Sequence, residues 1–178
     1  WVNPFRDVTE SDWFYDDVRF ANQSGLFNGV EKDLFAPEEP MTRGMLVTVL
    51  WRLDGETAPK TATTFTDVDA NAYYADAVAW AAESGVVNGI GGNKFDPEGN
   101  VTREQIAAIL YRYAHEENTE DGKLTSFPDA KDISGYALEA MNWAVARGLI
   151  NGSDGKLLPQ DTATRAQIAV ILARYLNA

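Results

Sequence analysis

Apolar residues recur at helical spacing in six stretches of the chain, and the stretches alternate between two kinds. In the first kind Phe14, Val18 and Ala21 stand at i, i+4 and i+7, matched by Tyr74, Val78 and Ala81 and then by Ala137, Met141 and Ala144. In the second kind Leu46, Val49, Leu50 and Leu53 stand at i, i+3, i+4 and i+7. Ile106, Ile109, Leu110 and Tyr113 repeat that stripe, as do Ile168, Ile171, Leu172 and Tyr175. Each stretch predicts an amphipathic helix. The first is expected over residues 13–24, with Ser11 or Asp12 as N-cap and Gly25 as a left-handed stop. The Asn-Gly pair that follows predicts positive φ and a sharp reversal. A short extended piece ending near Phe35, Phe95 or Leu157 then leads to Pro37, Pro97 or Pro159, and the second helix begins after a Thr.

The six stretches are three copies of one unit. Phe5-Arg6-Asp7-Val8 recurs as Phe65-Thr66-Asp67-Val68 and as Phe127-Pro128-Asp129-Ala130, and Thr42-Arg43 recurs as Thr102-Arg103 and Thr164-Arg165. From the opening Phe to a closing Arg the spans are 5–52, 65–112 and 127–174, each of 48 residues. The third copy is one residue longer before Met141 and one shorter before Thr164, as expected of a divergent copy that varies in its turns. The repeats are assigned to residues 1–53, 65–113 and 127–178, with polar linkers at 54–64 and 114–126. A pair of such helices cannot bury both apolar faces alone, so the copies are expected to pack on one another. Mainly α architecture follows, either as an open solenoid or closed around a pseudo-threefold axis. The outer copies keep the apolar pattern of the middle one instead of turning polar, which favours closure.

Composition narrows the function more than the fold. Hydrophobic residues make up 45% of the chain and aromatics 11%, ample for a packed core. No apolar run approaches the roughly 18–20 residues that span a bilayer, so membrane insertion is not expected. No signal peptide is visible, and an opening at Trp1 suits a mature or excised fragment. Lys and Arg number 15 against 27 Asp and Glu, a net charge of −12 spread along the chain. Nucleic-acid binding is disfavoured, since its binders present a basic face to phosphates. With no cysteine, disulfide frameworks, thiol catalysis and zinc-thiolate sites are excluded.

The string from Phe65-Thr66-Asp67-Val68 through Tyr73-Tyr74-Ala75-Asp76-Ala77-Val78 to Gly89 and Val101-Thr102-Arg103-Glu104 resembles the S-layer homology (SLH) domain. The resemblance covers nearly the whole chain in triplicate. It implies three helix-loop-helix repeats arranged as a monomeric pseudo-threefold trimer around a central three-helix bundle, with binding grooves between neighbouring copies. It also implies an extracellular place at the cell surface, and as partner a secondary cell-wall polysaccharide carrying a pyruvylated amino sugar. No cofactor is implied.

The residues themselves fit a ligand of that class. A helix N-terminus carries unpaired N–H groups and the positive end of a dipole, and an Arg at the first helical position adds a donor fork that grips a carboxylate at two points. Arg43, Arg103 and Arg165 each stand there, with a salt bridge to the repeat's own Asp as the competing role. Thr102 with Gln105, and Thr164 with Gln167, read as capping boxes. Thr42-Arg43-Gly44-Met45 lacks the Glu or Gln of the box, so that helix start is expected to be looser and Arg43 to serve mainly structure. Arg103 and Arg165 are then the stronger candidates. Trp13, Tyr73 and Tyr136 could stack on a sugar, as the resemblance implies, or pack on the core. Asp7, Asp67 and Asp129 could accept sugar hydroxyls or orient the Arg, or form turns with their own backbone. Gly29, Gly89 and Gly152 serve the turn and would also let a sugar approach closely. Trp80 and Trp143, with Phe20 at the same place, are expected to fill contacts between copies.

No enzyme is expected. Acidic pairs such as Asp16-Asp17 and Glu38-Glu39 are abundant, yet no acid–base pair stands out. The single histidine, His115, sits beside Glu116 and Glu117 without a cluster suited to metal or triad chemistry. The alternative to glycan anchoring is a protein-binding or self-associating surface-layer scaffold.

Overall fold

A computed structural model describes residues 1–117 and 120–178; the second linker, 114–126, includes two positions outside the described residues. Among the described residues six α-helices form and there is no strand, only isolated bridges. They are α1 (Tyr15–Gln23), α2 (Arg43–Leu53), α3 (Ala75–Ser84), α4 (Arg103–Ala114), α5 (Leu138–Ala146) and α6 (Arg165–Asn177). Each repeat supplies two, so the expectation of a mainly α protein holds. The first helices start later than the pattern suggests. Phe14, not Ser11 or Asp12, stands at the N-cap of α1 with no side-chain cap, because the Asp12 carboxylate is taken by the Thr9 backbone N–H and hydroxyl. Gly25, Gly85 and Gly148 do end these helices, each with φ near +70°.

The second helices are enclosed more completely than one apolar stripe implies. Residues 46–50, 106–110 and 168–173 are buried without interruption, the pattern of interior helices. Thr48, the polar residue in α2's buried run, returns its hydroxyl to the Gly44 carbonyl at 2.8 Å.

Two compact units make up the chain: Met41–Asn100, and Trp1–Pro40 together with Val101–Ala178. Their edges cut across the repeats, and the helix pairing shows why. Inside the first unit α2 packs on α3; inside the second, α4 packs on α5 and α6 on α1. Every second helix therefore packs on the first helix of another repeat. The indoles expected between copies follow suit. Trp143 of α5 is buried against Tyr111 of α4 with ring centroids 5.3 Å apart, and its Nε1–H donates to Glu116 at 3.0 Å. Trp80 of α3 donates to Asp54, the C-cap of α2, at 3.0 Å.

Candidate functional site

The start of each second helix is stitched to the segment after the proline of its partner repeat. Arg43 N and Gly44 N donate to Gly99 O and Pro97 O, both at 2.8 Å. Arg103 N and Glu104 N donate to Asp161 O and Pro159 O at 3.0 and 2.9 Å, while Arg165 N and Ala166 N donate to Glu39 O and Pro37 O at 2.9 and 3.0 Å. The third N–H goes to the capping Thr in every case, from Met45, Gln105 or Gln167. Both expected capping boxes, at Thr102 and Thr164, are complete. The expectation of free N–H donors for an anion is thereby corrected: carbonyls and a hydroxyl take the first three. Any anion at these helix starts must be gripped by side chains.

Nor is the start of α2 loose for want of a box, since all three of its donors are bonded. Its glycine answers to packing. A Cβ at Gly44 would lie 2.9 Å from Tyr74 Cδ1 and 3.0 Å from Pro97 O. Repeat three has Ala137 where repeat two has Tyr74, and there Glu104 occupies the helix start. It is 3% exposed and accepts from Ser134 N at 2.9 Å, Ser134 Oγ at 2.7 Å and Gln160 Nε2 at 3.2 Å.

The three arginines meet different surroundings. Arg43 donates through Nε to Phe95 O and through Nη2 to Asn88 O, each at 2.9 Å, with its Cζ 4.7 Å from the centre of the Phe95 ring. Arg165 repeats that arrangement on Phe35 O at 2.8 Å and Asn28 O at 2.9 Å, with Cζ 4.9 Å from the Phe35 ring and 5.6 Å from Phe27. It is 5% exposed. Among the described residues Arg43 forms no salt bridge to its own repeat's Asp7. The guanidinium of Arg103 makes no hydrogen bond or ion pair with any described residue. Burial draws its pKa below the ordinary arginine range, opposed by the charge of Asp161. Its guanidinium borders a groove of about 290 Å³ inside the larger unit, lined also by Trp13, Ile150, Gly152, Gln167 and Arg174. All three repeats contribute to this groove. Arg174 is tied down, donating Nη1 to Leu149 O at 3.1 Å.

The expected aromatics stand in the open. Trp13 and Tyr73 are each 63% exposed and Tyr136 59%, so most of each ring is open to solvent. Each of the first two leans edge-on against its neighbour, Trp13 on Phe14 at 5.4 Å and Tyr73 on Tyr74 at 4.9 Å. Tyr136 donates its hydroxyl to Glu104 at 3.4 Å, and burial followed by that carboxylate's charge raises its pKa.

The aspartates bind backbone, though not their own turns. Asp7 accepts from Phe35 N at 2.9 Å and Ala36 N at 2.7 Å, 28 and 29 residues away. Asp67 does the same for Phe95 and Asp96, and Asp129 for Leu157 and Leu158. Ala36, Asp96 and Leu158 all sit at positive φ between +50° and +60°, a conformation costly for residues with a side chain, and the carboxylate holds each there. The glycines are also structural, with one correction. Only Gly152 of the three is at positive φ, +82°. At Gly29 and Gly89 the demand is for space: a Cβ would come within 2.5 Å of Glu31 O at the former and 2.6 Å of the Phe65 ring at the latter. Of the expected site residues, Trp13, Arg103 and Gly152 meet in one groove, whereas the aspartates face the hairpin backbone. Gln167 and Arg174 join the groove unforeseen. A side chain one and three turns into a helix is brought there by packing, which periodicity alone does not locate.

Comparison with known proteins identifies the family to which the sequence is similar. The family model described as the S-layer homology domain matches residues 4–44, 64–107 and 126–169. The Surface-layer 125 kDa protein of Lysinibacillus sphaericus is 30% identical over 180 residues, covering 99% of this chain and 15% of the relative. An endoglucanase of Bacillus sp. (strain KSM-635) is 29% identical over 177 residues, covering 97% of this chain and 19% of the relative. The S-layer protein sap of Bacillus anthracis is 26% identical over 172 residues, covering 96% and 21%. The chain thus spans less than a quarter of the length of these curated relatives.

Proposed function

Because the chain belongs to the S-layer homology domain family, a cell-surface anchoring module, we propose that it fastens a larger protein to the wall by binding a pyruvylated secondary cell-wall polysaccharide. The observation that carries this reading is Arg103: a partly buried cation whose guanidinium has no hydrogen-bond partner among the described residues, bordering a groove beside the exposed indole of Trp13. A pyruvyl ketal is a carboxylate on a sugar. Its carboxylate would take the guanidinium fork and its ring the indole face. The exposure of Tyr73 and Tyr136 at the equivalent positions is consistent with sugar contact elsewhere on the chain. The aspartates and glycines contribute by shaping the hairpins.

The module acts on this reading as a monomeric pseudo-threefold trimer. Its support is the series of equivalent stitches, from repeat one to two, two to three, and three to one.

Calorimetric titration with a synthetic 4,6-pyruvylated N-acetylmannosamine glycoside, and with the same sugar lacking the ketal, tests the reading. Heat from the ketal alone is expected. Equal binding of both sugars, or full retention on cell walls stripped of their secondary polysaccharide, would refute it.

A further inference from the structure

Arg43 and Arg165 reach into hairpins of eight residues, Asn88–Phe95 and Asn28–Phe35, and donate to the first and last carbonyls of each. Both guanidinium groups also lie over the phenyl ring that closes the hairpin. The corresponding hairpin of repeat three, Asn151–Leu157, has seven residues and closes on leucine. Its glycine takes φ +82°, while Gly29 and Gly89 stay outside the positive range, so the backbone follows a different course past the Asn carbonyl. Ile150 replaces the second ring that Arg165 finds in Phe27. Arg103 lines one groove with Asn151, Gly152 and Ser153 of this hairpin, and its guanidinium makes no hydrogen bond to a described residue.

We propose that hairpin three, shorter by one residue and lacking a closing ring, leaves Arg103 unlatched and makes its groove the primary carboxylate site of the chain. The inference rests on the glycan reading above and deepens it by assigning specificity to residues 151–157. The cause is one of competition. A guanidinium already paired with two carbonyls and seated on a π-face must give up those contacts to take a carboxylate in a two-point grip. A guanidinium that is partly desolvated, makes no hydrogen bond to a described residue and feels only the charge of Asp161 has less to give up. Leu157 is thus a positioning residue, acting on the ligand through Arg103.

Two measurements on the whole chain test this. The first needs no ligand. In NMR spectra of the arginine Nε–H groups, Arg43 and Arg165 are expected to give slowly exchanging signals and Arg103 a rapidly exchanging one. Replacing Asn151–Leu157 by the sequence of Asn88–Phe95 should move Arg103 into the slow class, and Leu157→Phe should do so in part. The second is titration with the pyruvylated glycoside. The unaltered chain should bind close to one equivalent tightly, and Arg103→Ala should abolish that event. The hairpin replacement should weaken it by about tenfold or more, with thermal midpoints confirming that the variants fold. If the replacement is too crowded to fold, Leu157→Phe must still show weakened binding. Three equal sites, a protected Arg103 in the unaltered chain, or undiminished binding by the folded variants would overturn the inference while leaving the glycan reading standing. No binding of the ketal sugar by the unaltered chain, with the NMR pattern intact, would sink the glycan reading and the site assignment with it.

Discussion

Arg165 is almost wholly buried, paired with the carbonyls of Asn28 and Phe35 and seated on two rings. Removing its side chain leaves those carbonyls without their charged donor and opens space beneath the rings. Arg165→Ala is therefore expected to cost about 3 kcal/mol of stability, the range for breaking a buried charged hydrogen-bond network. Arg103→Ala should leave stability within about 0.5 kcal/mol, as for residues without partners. Urea denaturation of the two variants measures the contrast. It also separates two roles that the sequence presents identically, since both arginines follow a Thr and open a helix behind a capping box. What distinguishes them is the facing hairpin, which in the case of Arg165 lies 130 residues away from it in the chain.

At the scale of elements, the hairpin is held shut by a carboxylate. N–H bonds from Phe95 foremost, opposed by desolvation, and then from Asp96 hold Asp67 below its ordinary pKa of 3.8. Asp129 is lowered too: burial would raise it, but the N–H groups of Leu157 and Leu158 outweigh that. A carboxylate whose folded pKa is depressed adds stability that is present above its unfolded value and lost as pH falls through the folded one. The chain should hold its stability down to about pH 4 and lose it below, and Asp67→Asn should flatten that acid limb. Equilibrium unfolding between pH 6 and 2 reads both.

Much at this scale was legible in advance. The six helices follow from periodicity, their stops from Gly25, Gly85 and Gly148, and the two complete boxes from the Thr-x-x-Gln spacing. The acceptors at the helix starts were not legible. They are backbone carbonyls such as Pro97 O and Pro159 O, which carry no side-chain signature and are brought near by pairing between repeats. Gly44 misled for the same reason: its neighbour in space is the Tyr74 ring, thirty residues on, so a missing cap residue was read where a packing constraint stood.

Across the whole molecule, the first forty residues belong to the same compact unit as residues 101–178. Deleting residues 1–40 would strip α6 of its partner α1 and Arg165 of both carbonyls. A fragment of residues 41–178 should lose its cooperative thermal transition and bind a hydrophobic dye, the behaviour of a helix with an uncovered face. Circular dichroism with dye fluorescence would show it. Net charge is the other property of the whole. At −12 the chain repels an acidic polysaccharide before contact, so the association rate should rise as salt is increased from about 20 to 150 mM, where screening contracts to roughly 8 Å. Surface plasmon resonance on immobilised polysaccharide would report the trend.

The pairing of α6 with α1 also sets an order of events in time. Arg165 bonds a carbonyl 137 positions earlier, and the stitch from Ala166 to Pro37 is almost as remote. On a chain emerging from its N-terminus, α1 waits without its partner until α6, at Arg165–Asn177, has been made. Closing so long a loop costs little more entropy than closing a short one, because the cost grows only with the logarithm of length. It is nonetheless slow to find. Met41–Asn100 needs nothing beyond itself for the pairing of α2 with α3, and so can fold first, as a nucleus in the middle of the chain, with the two ends joining last.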